Sequence, residues 1–151
     1  MDDIRALCDV VRQTAYAIYK YHGNGHLEKV YENALVHRLR KLSFGVVQQH
    51  PLSVADEEGT ILGEYLADLL INRVLIVELK VARAIAPEHE AQVLAYLRGA
   101  HLQHALLINF GSARFEFENL RYKLPCRSAM LKPLLSRFRI PNFCDLCALC
   151  G

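Results

Sequence analysis

Leu66-Ala67-Asp68-Leu69-Leu70-Ile71-Asn72-Arg73-Val74-Leu75-Ile76-Val77-Glu78-Leu79-Lys80-Val81-Ala82 is the stretch that decides the fold of this chain. Two nearly continuous apolar runs flank Asn72-Arg73. Runs of that kind suit strands covered on both faces, hence central in a sheet. Three charges interrupt them: Asp68 in the first, Glu78 and Lys80 in the second. Glu78 and Lys80 are two positions apart, so they share a face with side chains about 7 Å apart. Two carboxylates buried with one lysine are costly unless something neutralises them. A divalent cation held by Asp68 and Glu78 would do so, since Mg²⁺ takes one or two carboxylates plus waters and phosphate oxygens. Lys80 would then orient or deprotonate a water, or hold a phosphate oxygen. A buried Glu78–Lys80 salt bridge is the plain structural alternative.

Register tests this site. A two-residue turn at Asn72-Arg73 pairs Ile71 with Val74 and puts Asp68 and Glu78 on opposite faces. A three-residue loop, or a bulge near Asp68, restores the shared face. One of these is required.

The surrounding pattern is α/β. Apolar residues at Ile4, Leu7, Cys8, Val11, Ala15, Ile18 and Tyr19 follow helical spacing, and Gly23-Asn24-Gly25 breaks it. A second helix is predicted from about Leu27 to Leu42. Tyr31, Leu35, Leu39 and Leu42 fall within one arc of about 80°. Glu28 lies inside that arc and Glu32 at its edge, so a carboxylate shares the apolar face. Two readings of Glu28 are open: a functional acid, or a first-turn carboxylate favoured by the helix dipole. Residues 44–56 and 60–71 read as strands around the turn Asp56-Glu57-Glu58-Gly59, followed by a strand from Val74 to Ala82. A helix opens at Pro87 and runs to about Arg98. His104 to Phe110 is a further strand, parallel to 74–82 as βαβ geometry requires, with a right-handed crossover. Arg114 to Glu118 is a last, alternating strand. The predicted whole is a mixed sheet with helices on both sides.

The 151 residues, 52% hydrophobic and 23% charged, fit one globular domain. No apolar run approaches the roughly 20 residues of a membrane helix. The opening Met1-Asp2-Asp3-Ile4-Arg5 is acidic where a signal peptide has basic residues, which points to the cytoplasm and to no membrane. In such a setting five cysteines suit thiols or metal ligands better than disulfides. Charge divides unevenly: residues 1–118 hold 12 Lys/Arg and 15 Asp/Glu, and residues 119–151 hold 6 and 1. The basic tail of Arg121, Lys123, Arg127, Lys132, Arg137 and Arg139 suits either phosphate contact or plain solvation. Its Leu131, Leu134, Leu135 and Phe138 could form a short amphipathic docking helix.

Asp68, a spacer, and Glu78-Leu79-Lys80 resemble the signature of the PD-(D/E)XK nuclease superfamily. Gly25-His26-Leu27-Glu28-Lys29-Val30-Tyr31 resembles the motif of the GxxExxY protein family within it. Residues 88–97 and 107–111 are similar to that family too, so the resemblance covers roughly residues 4–123. Ala67 stands where the superfamily name has proline. The resemblance implies a restriction-endonuclease-like core over residues 1–123, with 124–151 as a basic, cysteine-containing tail. It implies Asp68, Glu78 and the Leu79 carbonyl as ligands of Mg²⁺ or Mn²⁺, Glu28 as an outer carboxylate, and Lys80 acting on the attacking water. Gln92 and Tyr96 resemble the QxxxY element of RecB-like nucleases, which lines the substrate site. Their spacing puts both on one helix face. Tyr31 reads as packing beside Glu28. The implied chemistry is metal-assisted hydrolysis of DNA phosphodiester bonds, by a chain working alone, as a homodimer or with a partner protein. Fold similarity does not establish activity, so a non-catalytic nucleic-acid-binding or scaffold module stands as the alternative, and a purely structural ion-pair triad as a third.

The histidines show no metal-ligand spacing, although His89 on the third helix could reach a phosphate. Cys144, Cys147 and Cys150 form C-x-x-C-x-x-C. With Cys8 they imitate the iron–sulfur arrangement of some RecB-like nucleases, and thiolates at such spacing also suit zinc. Cys126 competes as fourth ligand. A cysteine-rich tail with Cys8 in the core is the plainer reading.

Overall fold

The computed structural model describes residues 3–56 and 58–124. The tail from residue 125 onward, with Cys126, Cys144, Cys147 and Cys150, the basic Arg127, Lys132, Arg137 and Arg139, and the Leu131–Phe138 segment, lies outside the described residues. Eight elements follow in order: α1 (Ile4–His22), α2 (Glu28–Lys41), β1 (Val46–Ala55), β2 (Ile61–Ile71), β3 (Leu75–Lys80), α3 (Pro87–Ala100), β4 (His104–Asn109) and β5 (Glu116–Arg121).

The five strands form one mixed sheet in the order β1-β2-β3-β4-β5. Only β3 and β4 are parallel, with α3 between them in sequence, as the strand–helix–strand spacing predicted. The other pairs are antiparallel. The two faces are covered by different helices. Leu75, Val77 and Leu79 of β3 pack with α1 and α2 residues such as Val11, Ile18, Tyr31 and Leu35. Ile76 faces the other way, onto Val93, Tyr96 and Leu97 of α3. This two-sided burial explains why β3 reads as apolar without alternation. Truncating a fully buried Leu79 to alanine would cost about 2–5 kcal/mol.

Local chemistry sets the helix ends. The Asp3 carboxylate caps α1 by accepting the Arg5 backbone N–H at 3.0 Å. Gly23, at φ 67°, ends α1 in a conformation that disfavours other residues. Pro87 opens α3, and His89 Nδ1 accepts the Ala86 N–H at 3.2 Å. His89 thus serves as a cap of α3.

Several boundaries differ from the sequence reading, three of them with a clear cause. Leu42 is exposed just beyond α2, so the buried arc ends at Leu39. β3 stops at Lys80 because the Asn109 side chain, not a neighbouring strand, takes the Ala82 N–H and carbonyl. β5 begins at Glu116 rather than Arg114. Phe115 is drawn onto α1, 5.4 Å from Tyr16 and 5.7 Å from Tyr19 between ring centres.

Candidate active site

The register resolves as a three-residue loop. Ile71 pairs with Leu75 across Asn72, Arg73 and Val74, and Leu69 pairs with Val77. Asn72 and Arg73 both adopt positive φ to close it. Continuing this register sets Asp68 opposite Glu78, as the shared-face condition required.

Backbone pairing of β2 and β3 ends at Leu69 and Val77. One residue further, side chains replace the ladder. Asp68 Oδ2 accepts the Leu79 N–H at 2.8 Å, and the Asp68 N–H points at Glu78 Oε2 at 3.5 Å. Within a strand, the N–H and C=O of one residue point to the same side. The Lys80 carbonyl faces β4, accepting the Phe110 N–H at 2.8 Å. The Leu79 carbonyl therefore faces the Asp68 side, where two strands have parted.

Glu78 and Lys80 share the α3 face of β3 with Ile76. Lys80 Nζ lies 2.8 Å from Glu78 Oε1, with both side chains largely buried. The salt bridge considered from sequence is thus present, but it does not balance the site. Burial, and then the Asp68 charge, push the Glu78 carboxyl up to about 7. Burial also acts on Lys80, in the lowering direction. The hydrogen bond to Glu78 and the charges of Glu78, Glu28 and Asp68 outweigh it and hold the ammonium above its ordinary range.

α2 delivers Glu28 from the opposite side. The helix begins where it does because Tyr31, fully buried and stacked 4.4 Å from Phe110, ties down the preceding turn. Its hydroxyl donates to the Gly23 carbonyl at 2.7 Å and accepts the His26 N–H at 3.3 Å. Glu28 is then the first residue of α2, half-buried. Burial and the Asp68 charge raise its carboxyl, against Lys80 and the Val81 backbone N–H, which lower it.

α3 brings Tyr96 to the other flank. Tyr96 is 4% exposed, its hydroxyl accepts a hydrogen bond from Gln92, and its ring tilts against Tyr65 at 5.3 Å. Burial and the Glu78 charge raise its pKa, so the phenol stays protonated beside the acids.

Sequence reasoning passed over Gln48 and Gln49 and left Glu32 at an arc's edge. Glu32 is 3% exposed and accepts from Lys29 Nζ at 2.7 Å, Gln48 Nε2 at 2.8 Å and Gln49 Nε2 at 3.2 Å. Gln49 Nε2 also donates to Asp68 Oδ1 at 3.2 Å. The available signal was a polar pair interrupting the otherwise strand-like 46–54 segment.

Cys8 is buried in the core beside α2. Burial first, then the neighbouring Asp9 charge, raises its thiol, which opposes the thiolate that zinc or an iron–sulfur cluster needs.

The donor set is hard: carboxylates of Asp68 and Glu78, the Leu79 carbonyl, and Glu28 behind them. Among the described residues no three His, Cys, Asp or Glu side chains form a ready cage. Two carboxylates and a carbonyl suit a cation that keeps part of its water shell, as Mg²⁺ does. An excess of acid over one lysine fits such a cation on charge as well. Soft-ligand metals find no comparable set there.

No helix among the described residues is long and apolar enough to cross a membrane. None of the curated proteins compared with the chain matches it. Among solved structures, the crystal structure of SSO0001 matches with a TM-score of 0.52 at 14% identity, over 69% of this chain. The chain spans 54% of that structure's length, and at this identity the likeness speaks to fold alone. A family model of the PD-(D/E)XK nuclease superfamily matches residues 5–121, which takes in every described element of the sheet together with Asp68, Glu78 and Lys80, and the chain belongs to that superfamily.

Proposed function

We propose that the chain is a Mg²⁺- or Mn²⁺-dependent nuclease that hydrolyses DNA phosphodiester bonds in the cytoplasm. The observation that carries this reading is the excess of acid at the end of β3. Asp68 and Glu78 meet where β2 and β3 part, Glu28 approaches from α2, and one ammonium answers all three. A fold needing only stability has no use for that imbalance.

Each residue has a distinct task. Asp68, Glu78 and the Leu79 carbonyl would hold the cation, with Glu28 as the outer acid. The cation, when bound, supplies charge neutralisation at the phosphate and a lower pKa for the attacking water. Lys80 is an ammonium in this setting, so it donates: to the attacking water, fixing its direction, or to a phosphate oxygen. Tyr96, kept protonated, and Gln92 offer hydrogen bonds to the substrate from α3. Gly25, Glu28 and Tyr31 support placement in the GxxExxY family, and Gln92 with Tyr96 supports a RecB-like substrate site. On this reading residues 1–123 form the nuclease domain, and 124–151 a basic tail available to nucleic acid.

The test is cleavage of labelled linear and circular DNA with Mg²⁺, with Mn²⁺ and with chelator, alongside Lys80→Ala checked for folding. Metal-dependent cutting that disappears in Lys80→Ala is the expected result. No cutting together with no metal bound by calorimetry would overturn the reading and favour a binding module. Cutting confined to RNA would keep the chemistry and replace the substrate.

A further inference from the structure

We propose that Gln49 is a positioning residue that fixes the Asp68 carboxylate from the neighbouring strand, a role that rests on Asp68 being a metal ligand.

Gln49 lies within β1, yet its φ is +48°. On either side the pairing with β2 is regular and keeps one register, Gln48 with Leu69 and His50 with Ala67. The strained residue is therefore the one opposite Asp68. Side-chain direction on β2 also breaks there. Ala67 packs into the α3-side core and Leu69 into the α1/α2-side core, although positions two apart in a strand share a face. Both strands deviate at a single rung.

A left-handed backbone is unfavourable for a residue with a side chain, and glycine would adopt it freely. The backbone alone thus gives no reason for glutamine. The side chain does. Its Nε2 has two hydrogens and makes two hydrogen bonds, to Asp68 Oδ1 and to Glu32 Oε2. Both partners are carboxylates, which have no hydrogen to donate when ionised, so the amide presents its nitrogen and not its oxygen. Glu32 is a firm anchor, because Lys29 and Gln48 hold its other oxygen. Asp68 Oδ2 is already fixed by the Leu79 N–H. With Gln49 on Oδ1, the plane of the carboxylate is set before any cation arrives. Residues that orient metal ligands in this way typically change affinity by 10–100-fold when removed.

The decisive variant is Gln49→Gly, which relieves the backbone while deleting the carboxamide. Mn²⁺ affinity is measured by calorimetry beside the thermal midpoint. The expected result is a folded protein whose midpoint stays near that of the wild type, relief of the backbone offsetting the lost hydrogen bonds, with Mn²⁺ bound about 10–100-fold more weakly. Gln49→Asn tolerates the left-handed region but is one carbon shorter, and it should fold with an intermediate affinity. In metal-free protein, the Gln49 side-chain amide resonances should move on Asp68→Asn and on Glu32→Gln. Mn²⁺ affinity equal to wild type in Gln49→Gly would overturn the role and leave the nuclease reading standing. So would amide resonances indifferent to Asp68→Asn. A wild-type protein that binds no Mn²⁺ would overturn both.

Discussion

Two partly buried polar clusters sit at the carboxyl ends of neighbouring parallel strands. One gathers Asp68, Glu78, Lys80 and Glu28 at β3. The other gathers Asn109, Ser112 and Glu116 at the end of β4. Among the described residues no buried side-chain nitrogen or oxygen lacks a hydrogen-bond partner, so satisfaction does not distinguish them. Charge does. Asn109 is fully buried and uses its whole capacity: Oδ1 accepts the Ala82 and Gly111 N–H groups, each at 3.0 Å, and Nδ2 donates to the Ala82 carbonyl and Glu116 Oε2. Glu116 receives further hydrogen bonds from Ile85 N and Ser112 Oγ. Those donors, Asn109 first, hold its carboxyl below the ordinary range. Glu78 has an ammonium for a partner and still rises to about 7, because burial and a second carboxylate outweigh it. The β4 cluster is complete as it stands. The β3 cluster lacks positive charge.

The largest expected effect breaks the comparison on activity. Lys80→Ala should lower cleavage by about 10³–10⁴-fold, roughly 4–5 kcal/mol of barrier, without unfolding the domain. Glu78 can answer the loss by keeping a proton. Single-turnover rates alongside circular dichroism would check this, and a variant cutting within tenfold of wild type would remove Lys80 from the chemistry. The β4 cluster should respond in the opposite way. Asn109→Ala strands three backbone groups and takes one of the donors from Glu116, and should cost about 3–4 kcal/mol of stability in urea titrations. It works as a clamp: the loop after Lys80 also packs so closely on Gly111 that a Cβ there would lie 2.5 Å from Ala82 N. Any loss of activity in Asn109→Ala should therefore follow loss of fold.

How much of this was legible in sequence depended on distance along the chain. Asp68, Glu78 and Lys80 lie within one hairpin, so two strand periods and a loop length were enough to relate them. Glu28 was visible as an acid on the apolar arc of α2, since a single helix carries its own geometry. Gln49 was not, because its meaning depends on pairing with β2 and on a backbone angle that no glutamine propensity predicts. Asn109 drew no notice inside the 104–110 strand, for its partners in the 82–85 loop and at Glu116 come from two other segments. β5 was read to start two residues early because Phe115 follows its contacts on α1, a preference that alternation along the strand cannot carry. The local pattern reported elements and the charges inside them. Contacts that join separate elements waited on the structure.

The smaller effects concern pH, where the two carboxylates should act with opposite sign. The folded-state pKa of Glu78 is raised, so between about 4.5 and 7 the folded protein binds more protons than the unfolded chain. Its contribution to stability is fully present below about 4.5 and is lost as pH climbs to about 7, on the order of 3 kcal/mol at 1.36 kcal/mol per unit. Glu78→Gln should flatten that decline in metal-free protein. Mg²⁺ should offset it, raising the thermal midpoint more at pH 7.5 than at pH 5.5, because ligands must be deprotonated to bind. A midpoint indifferent to both Mg²⁺ and Glu78→Gln would mean that the two clusters do not differ in charge balance after all. Glu116 is the smallest case. Its folded-state pKa is depressed, so its contribution is present above about 4.5 and lost as pH falls below that. Glu116→Gln should soften acid unfolding and leave the neutral range and the Mg²⁺ response unchanged. A shift in the Mg²⁺ response would tie the clamp at β4 to the site at β3, through the 81–86 loop that the two share.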